Sequence, residues 1–60
     1  MIYYEQFSKI NGKYYFMGWY PMLNESFCIE TKTRGKYTYK KYKLADGSIE
    51  DIKYGAYIEK

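Results

Sequence analysis

The sequence contains one cysteine, Cys28, and no histidine at all. An internal disulfide is therefore impossible, and a zinc site of the Cys/His type cannot be assembled. No apolar run approaches the roughly 18 residues of a membrane span. The first ten residues include Glu5, Gln6 and Ser8 and lack the apolar core of a secretory leader. These absences point to the cytosol, where a lone free thiol is at home. Glycines stand singly, Gly35 and Gly47 in turn contexts and Gly18 and Gly55 inside strand-like runs, so there is no phosphate-cradling glycine loop.

The inventory for catalysis is equally thin. Glu50 and Asp51 are neighbours that point to opposite faces of a strand, the wrong arrangement for a paired acid and base. Cys28 has no histidine to generate its thiolate, and between Phe27 and Ile29 it reads as a small apolar filler. A non-enzymatic protein with neither cofactor nor metal is expected.

What is abundant is tyrosine. Ten of the 60 residues are Tyr, and with Phe7, Phe16, Phe27 and Trp19 the aromatic share reaches 23%. Disordered chains are poor in aromatics, so this one is expected to fold, as a single domain over residues 1–60. A chain of this length hides only about 60% of its unfolded surface. With disulfide and zinc excluded, self-association is the remaining source of extra stability, and a homodimer is expected.

Turn signals fall about every ten residues, at Asn11-Gly12, Pro21 to Asn24, Arg34-Gly35 and Asp46-Gly47. They predict five strands, Ile2 to Ile10, Lys13 to Tyr20, Ser26 to Thr33, Lys36 to Leu44 and Ser48 to Ile58. Asn-Gly and Asp-Gly are the residues of tight type I′ hairpins. The last segment also fits a short capped C-terminal helix, since Ile49, Ile52 and Ala56 are spaced three and four apart, but Gly55 and the alternation of Ile52, Tyr54, Ala56 and Ile58 favour strand. The predicted fold is all-β, a small, strongly bent five-stranded antiparallel sheet or partly open barrel.

A two-residue loop at Asn11-Gly12 sets Phe7 against Phe16, Tyr3 against Tyr20 and Lys9 against Tyr14 on one face. The other face pairs Tyr4 with Trp19, Ser8 with Tyr15 and Gln6 with Met17. Rings on both faces imply that both need cover. In the fourth strand Tyr37 and Tyr39 are out of step with Tyr42 and Leu44, and a β-bulge at Lys40-Lys41 would restore a single tyrosine face.

Charge is unevenly distributed. Lys32, Arg34, Lys36, Lys40, Lys41 and Lys43 place +6 in a window without a carboxylate, although the whole chain carries only +3. Lysines interleaved with Tyr37, Tyr39 and Tyr42 would set phosphate contacts beside stacking platforms, as in single-strand nucleic-acid binders. The same residues could instead be a solvated edge that discourages aggregation. Trp19, Tyr20 and Met22, beside Pro21 at a strand end, form the candidate anchor of a protein interface, joined by Tyr4 and Tyr15 of the aromatic face.

In Ile2-Tyr3-Tyr4, Lys13-Tyr14-Tyr15-Phe16 and the stretch Lys36 to Lys43, the chain resembles in size and style the small Tyr- and Lys-rich proteins encoded by phages. These include the group that inactivates bacterial defence systems such as CRISPR, Thoeris or Hachiman. That resemblance implies action by binding, often as a homodimer, to a host protein or its nucleic-acid channel in the host cytosol. A protein-binding module, with inhibition of a host defence complex as its most concrete form, is the leading expectation. Single-stranded nucleic-acid binding is the alternative, and a structural assembly subunit a third.

Overall fold

The computed structural model describes all 60 residues. Five strands are present, β1 (Ile2–Ile10), β2 (Lys13–Tyr20), β3 (Cys28–Arg34), β4 (Tyr37–Lys43) and β5 (Ile49–Glu59), with a single 3-10 turn at Glu25–Phe27. All neighbours are antiparallel, and the order across the one sheet is β2-β1-β5-β4-β3. The sheet is open, with β2 and β3 as its edges. The last segment is strand throughout, so its helical alternative is not realised. Gly55 disfavours a helix there, while Ile52 and Tyr54 alternate into the core.

Three hairpin turns solve the reversal differently. Asn11 and Gly12 both take positive φ (52° and 80°), as a type I′ turn demands. Arg34 pairs with Tyr37 across Gly35-Lys36, and Gly35 supplies positive φ at the first loop position, the type II′ pattern. Asp46-Gly47 does not form the expected type I′ turn. Only Gly47 has positive φ, Gly47 N–H donates to the Leu44 carbonyl, and the Asp46 carboxylate accepts from Ser48 N–H and Oγ. Those bonds hold the Asp46 carboxyl below its ordinary range, and they favour a wider loop than two residues allow.

The hairpin register follows expectation only as far as the Phe7–Phe16 pair. A bulge on β2 then intervenes, with Met17 unpaired opposite the step from Gln6 to Phe7, and beyond it Tyr4 faces Tyr20, Glu5 faces Trp19 and Gln6 faces Gly18. Gly18 adopts a φ of +133°, and a Cβ there would lie 3.1 Å from the Tyr20 ring. The bulge therefore rests on a glycine. Register shifts also occur between β1 and β5 and between β3 and β4 near Cys28, but β4 pairs with β5 without interruption. The bulge expected at Lys40-Lys41 is absent. Nothing requires it, because Tyr37 and Tyr39 serve one face of the sheet and Tyr42 the other.

The connection from β2 to β3 joins opposite edges of the sheet, so residues 21–27 must cross one whole face. Beneath this strap lies the core, Tyr42, Ile52 and Tyr54, with Tyr4, Met22, Cys28 and Leu44 packed around it. Tyr54 Oη accepts the Leu23 N–H at 3.2 Å and lies 3.1 Å from Tyr42 Oη. Each phenol thus has a partner in a site that excludes water. At the far end of the strap, Lys40 reaches up from the same face to both oxygens of Glu25, at 2.8 and 3.0 Å. The strap covers the middle of this face, around Tyr42, Ile52 and Tyr54, but leaves the hairpin rings of Tyr15 and Tyr20 on it exposed, so the shelter expected for both faces of the aromatic hairpin is not supplied within the sheet.

Replacing Tyr54 by Phe removes the acceptor for Leu23 N–H and a partner for Tyr42. A loss of about 1–3 kcal/mol is expected in urea denaturation. Burial, then the Tyr54 hydroxyl, raise the Tyr42 phenol well above its ordinary value. Above pH 10 an unfolded chain would release this proton and the folded one would not. Stability should therefore be intact below pH 10 and fall above it by about 1.4 kcal/mol per pH unit for this group. Denaturation midpoints measured across pH 8 to pH 12, with Tyr42→Phe as the variant that flattens the fall, test the assignment.

Candidate binding face

The opposite face carries no covering segment. Strand alternation and register place on it Phe7 and Lys9 of β1, Tyr14 and Phe16 of β2, Tyr37, Tyr39 and Lys41 of β4, Asp51 and Lys53 of β5, and Lys32 and Arg34 of β3. The Tyr14 and Tyr39 rings meet edge to face at 5.5 Å. Their strands are separated by β1 and β5, about 14 Å at the usual inter-strand spacing. The two side chains therefore lean toward each other over the strands between them, and this side of the sheet is concave.

Lys53 lies under that arch. Its ammonium is 4.5 Å from the Tyr37 ring centre, 4.7 Å from Phe7, 5.5 Å from Tyr14 and 6.0 Å from Tyr39. Phe7 in turn packs edge to face on Phe16 and on Tyr37. A cation surrounded by ring faces holds the rings in place and fills space that a small sheet cannot fill with aliphatic side chains. Next to the arch, a trough of about 440 Å³ is lined by Lys9, Tyr14, Lys32, Arg34, Tyr39 and Lys41, with Glu30 and Asp51 as its carboxylates; Lys40 also borders it, although its ammonium is turned to Glu25 on the other face. Lys32 pairs with Glu30 at 3.5 Å, whereas Lys9, Arg34 and Lys41 have no carboxylate within 4 Å. Burial, then Asp51 and Tyr39, raise the Tyr14 phenol above its ordinary range, so it stays a neutral ring and hydrogen-bond donor.

The six basic residues singled out in the sequence separate on folding. Lys32, Arg34 and Lys41 line the trough and Lys36 sits in the β3–β4 turn. Lys43 alternates onto the concave side at the end of β4, but Lys40 belongs to the covered face and is held by Glu25. The expected interface residues are also divided. Trp19 faces Glu5 and Tyr20 faces Tyr4, on opposite sides of the sheet, and both are exposed. Tyr4 and Met22 pack against the core, while Tyr15 is exposed on the edge strand. Lys9, Tyr14 and Lys53 are contributors that the sequence pattern did not single out. Only the pairing of β1 with β5 brings Lys53 beneath rings from β1, β2 and β4.

No helix of the chain is long and apolar enough to cross a membrane. Comparison with protein-family models, with curated proteins and with solved structures finds no match for this chain.

Lys53→Met keeps the stem and removes the charge from the ring cluster. A loss on the order of 1 kcal/mol in denaturant unfolding is expected, with an unchanged denaturant slope because the same surface is still buried. An unaffected midpoint would mean that the rings hold one another without the cation.

Proposed function

We propose that the concave face binds single-stranded nucleic acid. The observation that carries this reading is the placement of Tyr14 and Tyr39 among Lys9, Lys32, Arg34 and Lys41 on a face that no other part of the chain covers. Bases stack on aromatic rings whatever their sequence, and lysine or arginine beside the rings meets the phosphates. Three of those cations have no acidic partner of their own and are free to do so. A duplex keeps its bases stacked inside and would offer only phosphates to rings that lean inward. With Arg34 as the only arginine, binding that tolerates sequence is expected.

A protein partner, including a component of a bacterial defence complex, is the competing reading. It draws on the exposed rings of Trp19 and Tyr20, which lie on different faces and would have to engage a partner around the β2 edge.

Fluorescence anisotropy with labelled thymidine and uridine oligomers of about 15 nucleotides tests the proposal. The expected result is binding to both, weaker binding to duplex, and a log–log salt slope that falls by about 1.4 when Arg34 and Lys41 are both changed to Ala. Lys40→Ala is the control that leaves the slope unchanged, because Lys40 lies on the other face. Absence of oligonucleotide binding at low salt by a folded protein would overturn the reading and leave a protein partner as the occupant.

A further inference from the structure

The two edges of the sheet differ in a way that points to a second copy of this chain. On β3, Glu30, Lys32 and Arg34 alternate along the strand, and charged side chains of this kind discourage another strand from adding there. On β2 the only charge is Lys13 at its start, and the seven residues Tyr14–Tyr20 carry none. This uncharged edge also exposes large apolar side chains, with Tyr15 48%, Phe16 53%, Met17 40% and Trp19 41% accessible. The molecule as a whole shows 4504 Å² of surface. About 4,200 Å² is usual for a folded chain of its mass.

We infer that β2 pairs antiparallel with β2 of a second copy about a two-fold axis at Tyr15. The register follows from the hairpin. With Asn11-Gly12 as a two-residue turn, Ile10 and Lys13 form the hydrogen-bonded closing pair, so Tyr14 and Phe16 direct their N–H and C=O groups away from β1. Opposing Tyr14 of one copy to Phe16 of the other satisfies all these groups. The bulge near Gly18 ends the regular edge just beyond, which limits pairing to this short stretch. Antiparallel pairing also sends the two Lys13 residues to opposite ends, so no like charges meet. Joining β2 to the β3 of another copy would instead set Glu30, Lys32 and Arg34 beside uncharged residues and would leave both free edges to grow. In the two-fold pairing the Tyr14 and Phe16 rings of both copies lie side by side, and two concave faces become one continuous aromatic surface. This pairing is independent of what the concave face binds.

Sedimentation of the nucleic-acid-free protein tests it, with an expected mass twice the 7.3 kDa of the chain. Tyr15→Glu places like charges directly opposite each other at the axis and should weaken dimerisation at least about tenfold. Ile29→Glu on the exposed β3 edge should leave it intact. In a Cys28→Ser background, Tyr15→Cys should form an intermolecular disulfide on mild oxidation, because opposed residues at a two-fold lie within disulfide range. A monomer at about 100 μM, which bounds the association below −5.5 kcal/mol in strength, would overturn the proposal. So would open-ended growth, or a dimer insensitive to Tyr15→Glu and not cross-linked at position 15.

Discussion

The molecule is organised by a length constraint on one connection. Strands β2 and β3 lie at opposite edges of a five-stranded sheet, four inter-strand spacings or about 19 Å apart. The seven residues 21–27 that join them can span at most about 25 Å. They have little slack and can run in only one line across one face. Their two attachments are specific: Leu23 N–H on the Tyr54 hydroxyl in the middle, and Glu25 on Lys40 near the far edge. The middle of one face is thereby closed to water, and no described segment crosses the other.

Tyrosine suits both outcomes. Under the strap a phenylalanine core would have left the crossing backbone's Leu23 amide without an acceptor, whereas Tyr54 supplies ring area and an oxygen together. On the concave side the rings are fixed by edge-to-face contacts and by Lys53, and their hydroxyls remain available to solvent or ligand. Three fully buried residues are few for a domain, even one of 60 residues. The radius of gyration, 11.2 Å against about 10.4 Å for a compact chain of this length, reflects the same open geometry.

Strand positions were legible because the turns are written in local chemistry. Asn11-Gly12 and Gly35 act through their own backbone angles, so β1 and β2 fall where the residues predict and β3 and β4 meet their turn within one residue of it, although β3 starts at Cys28 and not Ser26 because Glu25–Phe27 form a 3-10 turn. Bulges were not legible in the same way. Gly18 is one of two glycines inside strands, and only its contact with Tyr20 and its paired neighbour Gln6 distinguish it. Beyond it the predicted register slips by one residue, so Tyr20 faces Tyr4 where Tyr3 was expected and Trp19 faces Glu5 where Tyr4 was expected. The tyrosine phase shift in β4 was visible, but it has two physical solutions, a bulge or a ring on each face. The choice between them depends on the strap, which lies far from β4 in sequence. The trough was half legible: Lys32, Arg34, Lys41 and Tyr39 are local, whereas Lys9, Tyr14 and Lys53 reach it only through the sheet order.

Charge density along a strand is a poor guide to charge density in space, and Lys40 and Lys41 show why. They are adjacent in sequence, but the pleat sends them to opposite faces. Glu25 neutralises the first as part of the strap's anchorage. The second stands opposite Asp51 without an ion pair and near Arg34 and Lys9, in a concavity walled by aromatic rings. Field lines concentrate in such a low-dielectric hollow. A few unpaired cations there therefore act on a polyanion more strongly than the modest net charge of the chain would imply. The concave side owes its positive character to the lysines and the arginine it retains, while the pair with Glu25 neutralises Lys40 on the other side. Without Glu25 on the strap, the covered face would carry an uncompensated cation of its own and the two sides would differ less.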